Sequence, residues 1–410
     1  MLVIKLEPQT VDDLMDWISG ISDKTGPGTT RLLYSKSWLE AQNALKEKFE
    51  ELGMTVEFDE VGNLFATLKG TDSPEEIIAT GSHIDTVDKG GRLDGQLGII
   101  AGYIAIKELL EKKGKPKKTL QIISMAEEEG SRFPYAFWGS KNIFGIADRN
   151  DVEHIKDAQG VSFVDAMHEA GFGFLEGKPR FNKISAFIEL HIEQGNFLEN
   201  THNQVGVVNA IVGQKRYDIT LKGQANHAGT TLMEYRKDTV ECMARIITQS
   251  IDKAKKEGNP LVLTFGKVEP KPNTVNVVPG ETLFSMDCRH TEEAVLDRFT
   301  QEIESDMKDI AQQMGIDIHI DNWMNEQPVP MDPEIIRIIE SVCKENKLNY
   351  KVMHSGAGHD SQIFAAYVPT AMIFVPSIDG ISHNPREHTE AVDIVPGIQV
   401  LASAIEQLAY

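Results

Sequence analysis

Four stretches of this sequence carry an apolar run into an imidazole or a carboxylate. "EEIIATGSHIDTV" reaches His83 and, two residues on, Asp85; the next segment, "GGRLDGQ", sets Asp94 between glycines just before a helix-like run. "TLQIISMAEEEG" reaches Glu127, Glu128 and Glu129, "ISAFIELHIEQG" reaches His191, and "TAMIFVPSIDGISHNPRE" leads into a loop with His383. One histidine or one acidic run in such a place is most often a capping, core or solvated residue. Four segments that end alike point to a shared site. Imidazoles mixed with carboxylates suit Zn2+ or Mn2+ better than Mg2+ or Ca2+. Two ions held roughly 3.5–4 Å apart need a shared ligand, and an aspartate can give one oxygen to each, which makes Asp94 the candidate bridge. Asp85, close behind His83, has the position of a carboxylate that orients an imidazole.

Those residues need a scaffold that delivers them to one edge. The amphipathic stretch Ser37 to Gly53 is followed by a hairpin pattern in "TVEFDEVGNLFATLKG", then strand "EEIIAT", helix Gln96 to Lys113 and strand "TLQIISM". Strand, helix, strand at this spacing predicts a parallel βαβ unit, and ligands bind beyond the carboxyl ends of such strands. From about Val207 the rhythm changes to strand "QKRYDITLKG", helix Arg236 to Lys256, strands "LVLTFGKVEP" and "ETLFSMDCRH", helix Thr291 to Gly315 and strand "IDIHIDNW", a βαββαβ order. The tail from Pro333 returns to alternating helix and strand and ends in an amphipathic helix, Asp393 to Leu408. The expected fold is α/β: a catalytic domain (1–206 and 326–410) with a largely parallel sheet and helices on both faces, and an inserted α+β sandwich (207–325).

Composition bounds the partners. With 62 acidic against 41 basic residues in 410, the formal charge of −21 repels nucleic acid and anionic membrane. The opening "MLVIKLEPQTVDD" has no basic and apolar leader pattern, and the apolar run near "IIAGYIAI" is too short to span a bilayer. A cytoplasmic protein is expected. Cys242, Cys288 and Cys343 are odd in number and widely spaced, so buried thiols are expected rather than disulfides or a thiolate metal site.

The inserted segment holds a second set. His227 lies in "LKGQANHAGTT", and Asn276 and Arg289 lie thirteen positions apart in "PNTVNVVPGETLFSMDCRH". His227 could cap the following helix, and Arg289 could pair with Asp287 or Glu292. A planar guanidinium with an amide is also a common means of holding a carboxylate at two points.

Taken together, HxD in "SHIDTV", the glycine-flanked aspartate of "GGRLDGQ", "EEEG", "ELHIEQG" and "GISHNPRE" resemble the M20 family of dinuclear metallopeptidases and amidohydrolases. Within it they resemble the branch of N-carbamoyl-L-amino acid hydrolases and allantoate amidohydrolases. The resemblance covers essentially the whole chain. It implies two divalent ions (Zn2+ or Mn2+), one on His83, Asp94 and His191 and one on Asp94, Glu129 and His383, with Glu128 as general base. It implies that Asn276 and Arg289 bind a substrate carboxylate, and that His227 reaches the oxygen of the tetrahedral intermediate, often from a partner subunit. The inserted domain would then be both lid and homodimer interface, closing over the metals. Gln194, Gln214 and the backbone at Ser355, Gly356 and Gly358 resemble further substrate contacts. The chain departs from the family at Leu232, where "HAGTTLM" replaces the frequent "HAGTTPM".

Peptidases of the broader family cut peptide bonds, whereas this branch cuts ureido groups on carboxylate-bearing substrates. The stretches "MAEEEGSRFPYAFWGSKNIFG", "LVLTFGKVEPKPNTVNVVPG" and "VMHSGAGHDSQIFA" look closer to allantoate amidohydrolases than to carbamoylases, which more often carry DEEG. The expected reaction takes allantoate to ureidoglycine, ammonia and carbon dioxide, as in nitrogen recovery from purines. N-carbamoyl-L-amino acid hydrolysis is the alternative. An M20-type exopeptidase or deacetylase, or a non-catalytic metal-binding protein, is more remote.

Overall fold

The computed structural model describes residues 6–23 and 26–410; the first five residues of the opening read above for a leader lie outside them. The chain forms two compact units, Met1–Asn209 with Met331–Tyr410, and Ala210–Pro330. The sequence pattern drew the insert at 207–325. The first boundary falls later because the strand Val205–Ile211 still pairs with Thr370–Val375 of the larger unit through Gly206, Val207 and Val208.

In the larger unit four parallel strands lie side by side in the order Lys118–Met125, Ser73–His83, Ile184–Ile192, Thr370–Val375. Antiparallel strands flank them, Leu64–Leu68 on one side and Val205–Ile211 on the other. Parallel strands are covered on both faces, so they read as apolar runs. Here Leu120 and Ile122 face the main core, while Ile123 and Met125 face a smaller cluster with Phe187 and Phe364. The helix Gln96–Lys113 has the bounds its sequence predicts and is buried along most of its length. The hairpin is closed by Asp59, whose Oδ1 accepts from the N–H groups of Val61, Gly62 and Asn63.

The last helix, Ala391–Ala409, is broader in its apolar character than an amphipathic stripe. By length and composition alone it could cross a membrane, but two-thirds of it is buried against Pro8–Ser19, Gln96–Lys113 and Pro333–Glu345. It is a core helix of this unit.

The smaller unit has the antiparallel strands Gly213–Lys222, Glu281–His290 and Asp317–Glu326, with the helices Thr239–Glu257 and Glu293–Gln313 packed on them. Period-2 alternation sends Tyr217, Ile219, Phe284, Met286 and Cys288 into a core. The expected strand "LVLTFGKVEP" is two pieces, Val262–Thr264 and Val268–Lys271. Thr264 faces Asp287 and Val268 faces Phe284, so three residues oppose two; the extra residue is a bulge around Gly266. All three cysteines are free and buried.

One anchor went unread in the sequence. Arg31, fully buried, donates to the carbonyls of Ile18, Ile21 and Ile84 and to the Gln96 amide oxygen at 2.9 Å. It thereby ties the first helix to the residue between His83 and Asp85. Burial brings its pKa down to about 10, so it keeps its charge at neutral pH. Replacing it strands three buried acceptors, each worth about 1–3 kcal/mol. Arg31→Leu is therefore expected to destabilise the fold by roughly 3 kcal/mol or more, read from the urea midpoint; an unchanged midpoint would refute this account.

Candidate metal centre

The parallel register puts the carboxyl ends of four strands on one edge. His83 sits opposite Met125, just before Glu127 to Glu129, and His191 sits opposite Phe374, ahead of the loop carrying His383. Asp94 enters from the loop before helix Gln96–Lys113. The turn there needs glycine: Gly95 has φ 66°, and a Cβ on it would lie 2.4 Å from Cε1 of His83.

Asp94 is the centre of the group. Its Oδ1 lies 3.2 Å from His191 Nε2 and 3.6 Å from His83 Nε2, and its Oδ2 lies 3.1 Å from His383 Nε2. His383 Nε2 is also 3.3 Å from Glu129 Oε1. Among the described residues, three sets offer ligand atoms within 4.8 Å of one another: His83, Asp94 and His191; Asp94, Glu129 and His383; and His83, Glu128 and Glu129. All are buried or half-buried except His383, whose side chain is about half exposed.

The second nitrogens of the rings fix their roles. His83 Nδ1 lies 3.0 Å from the Asp85 carbonyl and 3.1 Å from Asp85 Oδ1, and His191 Nδ1 lies 2.9 Å from the Ile192 carbonyl. Those partners only accept, so Nδ1 carries the hydrogen and Nε2 is left as an acceptor beside Asp94, the one on His191 also accepting from Gly95 N–H at 3.3 Å. Two acceptors that face each other across 3.2 to 3.6 Å need a proton or a cation between them. The donor set of imidazole nitrogens and carboxylate oxygens therefore fits a divalent metal. Asp85 does a second job that its spacing did not reveal, because it also accepts from the N–H groups of Glu128 and Glu129.

Electrostatics agree. Burial works against charge on Asp94, but hydrogen bonds with His191, His383 and His83 outweigh it and hold its carboxyl well below the usual range. Burial likewise opposes charge on His83 and His191, yet Asp85 and Asp94 raise the first and Asp94 the second. Hydrogen bonds with Asp94 and Glu129 lift His383 to about 10. Burial pushes Glu128 and Glu129 up, helped by their negative neighbours; cations in the cluster would reverse that push.

Sequence reasoning missed several members. Glu189, an acid inside an otherwise apolar strand, accepts from Ser82 Oγ at 2.7 Å and from Ser361 Oγ at 2.6 Å, which braces neighbouring strand ends. Its position in "AFIELHI" was the available signal. Ser382 and Glu387, which touch Asp94 or its backbone, lie beside His383 in "GISHNPRE", and that neighbourhood was the signal available for them. Gln194, read as a substrate contact, donates to Asp94 Oδ2 at 3.1 Å. Gln194 and His383 both hold left-handed backbone, φ 58° and 52°, a strain that non-glycine residues keep mainly at functional positions. Ser355 binds the Ala357 carbonyl and His359 Nε2, and the His359 ring meets that of His191 edge-on at 4.6 Å, so the Ser355, Gly356 and Gly358 loop borders the cluster.

The remaining predicted residues belong to the smaller unit. His227 and Asn276 lie together: Val277 pairs with His227, and Ala228 N–H donates to the Asn276 carbonyl. Gly229 N–H donates to His227 Nδ1 at 3.0 Å, which leaves Nε2 as the hydrogen-bearing atom of the neutral ring. Arg289, Gln214 and Arg216 converge on Asp287, the pairing with Arg289 being bidentate. These guanidiniums overcome the effect of burial and keep the Asp287 carboxyl below its usual value. Asn276 and Arg289 do not lie side by side within the chain. Arg289 pairs with Gln214 and Glu281 with Lys222 in one unbroken ladder, so eight residues of strand, about 26 Å, separate 281 from 289. Asn276 lies beyond the Glu281 end of that strand, where Val278 continues the ribbon opposite Asn226.

An imidazole and carboxylate cluster at the carboxyl edge of a parallel sheet, in a chain with an antiparallel insert, defines a metal-dependent hydrolase class. Residues 79–407 match the peptidase family M20/M25/M40, and the chain belongs to that family. It is 55% identical over 404 residues to the allantoate amidohydrolase of Escherichia coli (strain K12), with 98% of each chain covered. It is 32% identical over 386 residues to the N-carbamoyl-L-amino-acid amidohydrolase of Paenarthrobacter aurescens, covering 93% and 94%. Among solved structures it resembles an amidase of the hydantoinase/carbamoylase family from Burkholderia multivorans, with a TM-score of 0.93, 30% identity and 99% and 98% coverage. Family and cluster together indicate divalent metal binding.

A pH dependence follows for the metal-free chain. The His383 value lies above that of an ordinary imidazole, so its stabilisation is complete below about pH 6.5 and is lost as pH rises through about 10. Raised acids act in the same sense. Chelator-treated protein should lose Tm between pH 7 and 10, and adding Mn2+ at pH 7 should release protons; a Tm that rises with pH would contradict the geometry.

Proposed function

We propose that this chain is an allantoate amidohydrolase working with two divalent ions, Zn2+ or Mn2+. The reading rests on one observation above the others: full-length 55% identity to an allantoate amidohydrolase, against 32% to a carbamoyl amino acid hydrolase. In the reaction, water cleaves the C–N bond of one ureido arm, and the carbamoyl carbon leaves as carbon dioxide with release of ammonia. Two negative features of the substrate then have partners: the carboxylate matches Arg289, and the developing oxyanion matches the Nε2–H of His227.

In this reading His83, Asp94 and His191 would hold one ion, and Asp94, Glu129 and His383 would hold the other. Bound ions supply Lewis acidity and ease the removal of a proton from water. Glu128, half-buried among these carboxylates, takes that proton on its carboxylate and returns it to the departing nitrogen. Asp85 orients His83 and fixes the Glu128 and Glu129 backbone. Donors aimed at developing charge are worth about 2.7–4 kcal/mol each, which sets the scale for losing His227.

The separation of Asn276 and His227 from Arg289 along the ribbon supports a homodimer in which each recognition set is completed by the partner. Two-fold interfaces exchange identical patches, so such sharing gives two equal sites. The buried, unpaired thiols agree with a cytoplasmic location.

Purified, metal-loaded protein should release ammonia from allantoate with a far larger kcat/KM than from N-carbamoyl-methionine, and Glu128→Gln should keep its metal while losing turnover. The reverse substrate preference would overturn the assignment. Mixing His227→Ala chains with Arg289→Ala chains should restore activity that neither shows alone, since one site of each mixed dimer is then intact. Absence of any recovery would place both residues in one chain's site.

A further inference from the structure

Ser382 Oγ lies between two carboxylates. It is 3.2 Å from Asp94 Oδ2 and 3.0 Å from Glu387 Oε2, and its hydroxyl has one hydrogen to give. Asp94 Oδ2 is also the oxygen that faces His383 and accepts from Gln194 Nε2 at 3.1 Å. A carboxylate oxygen has about two lone pairs. With one pair taken by Gln194, a bond from Ser382 would occupy the pair that a cation held with Glu129 and His383 requires.

Glu387 is buried, and its other oxygen, Oε1, accepts from the N–H groups of Leu93 at 2.9 Å and Asp94 at 3.1 Å. The fit is tight enough to require glycine nearby, since a Cβ on Gly91 would lie 2.0 Å from Oε1. That places Oε2 firmly at Ser382.

From this geometry we infer that Glu387 is a positioning residue for the second metal. Its Oε2 draws the Ser382 hydroxyl away from Asp94, so that Oδ2 keeps a lone pair for the ion shared with Glu129 and His383. Its Oε1 meanwhile pins the backbone that carries Asp94. The inference rests on the two-ion reading above and adds to it the control of one proton's direction. Its link to Asp94 is not visible along the chain, because Glu387 and Asp94 are 293 residues apart.

Glu387→Gln separates the two jobs. The glutamine Oε1 can still accept from Leu93 and Asp94, whereas the opposite amide orientation would set Nε2 against two N–H donors. In the retained orientation Nε2 donates to Ser382 Oγ, and the hydroxyl hydrogen is left with Asp94 Oδ2 as its acceptor. Removing the hydroxyl abolishes that competition. The expected result is a weaker second ion in Glu387→Gln, by about 10- to 100-fold, and recovery toward wild-type affinity in Glu387→Gln/Ser382→Ala.

The measurement is Mn2+ titration of the metal-free chains, following free Mn2+ by its electron paramagnetic resonance signal, with Tm recorded for each variant. Loss confined to the second ion, little change in metal-free Tm and recovery in the double variant would support the inference. Equal losses in the single and double variants, an unchanged affinity, or a Glu387→Gln chain that fails to fold would overturn it and leave the two-ion reading standing. A wild-type chain that takes up one Mn2+ only would overturn the two-ion reading, and this inference with it.

Discussion

Asp94 is buried with Oδ1 turned toward the Nε2 atoms of His83 and His191, whose Nδ1 positions already carry a hydrogen, and with Oδ2 turned toward His383 Nε2, which also faces Glu129. Left to themselves these acceptors repel one another, and Glu128 and Glu129 beside them add more negative charge. The arrangement is stable only with positive charge inside it, from protons in the metal-free chain or from cations in the loaded one. That requirement explains why so many of the surrounding bonds are made to fix direction rather than to fill space. Asp85 sets the tautomer of His83, the Ile192 carbonyl sets that of His191, and Glu387 fixes the Asp94 backbone.

The parallel sheet is what makes such a concentration of charge possible. Four strands running the same way end on one edge, so residues from positions 83 to 383 meet without any single segment having to carry them all. The strands themselves stay apolar and buried on both faces, which anchors the loops that follow them. Rigidity is then extended beyond the strand ends by buried polar links, Glu189 to Ser82 and Ser361, and Arg31 to Ile84 and Gln96. These links cost desolvation, and full hydrogen bonding offsets it.

The smaller unit follows a different logic. One face of its sheet is packed by two helices and the other carries Gln214, Arg216, Asp287 and Arg289, with Asp287 holding three donors in place. A guanidinium clamped along one edge by a carboxylate is held in a fixed orientation. His227 and Asn276 stand on a ribbon beyond the other end of the long strand. Strand geometry alone keeps the two groups apart within one chain.

Much was legible in the sequence because it is written in local patterns. Apolar runs gave the parallel strands, the long apolar stretch after the glycine-flanked Asp94 gave helix Gln96–Lys113, and polar residues placed at strand ends and in the loops after them gave His83, Asp94, Glu129, His191 and His383. What could not be read were relations between distant positions: the Ser382 hydroxyl between Asp94 and Glu387, the buried guanidinium of Arg31, the bulge at Gly266, and the strand length separating Asn276 from Arg289. The reason is physical. Which residues can bind a cation is a property of their side chains and needs only the sequence. Which lone pair faces which hydrogen is a property of positions in space, and only the folded chain decides it.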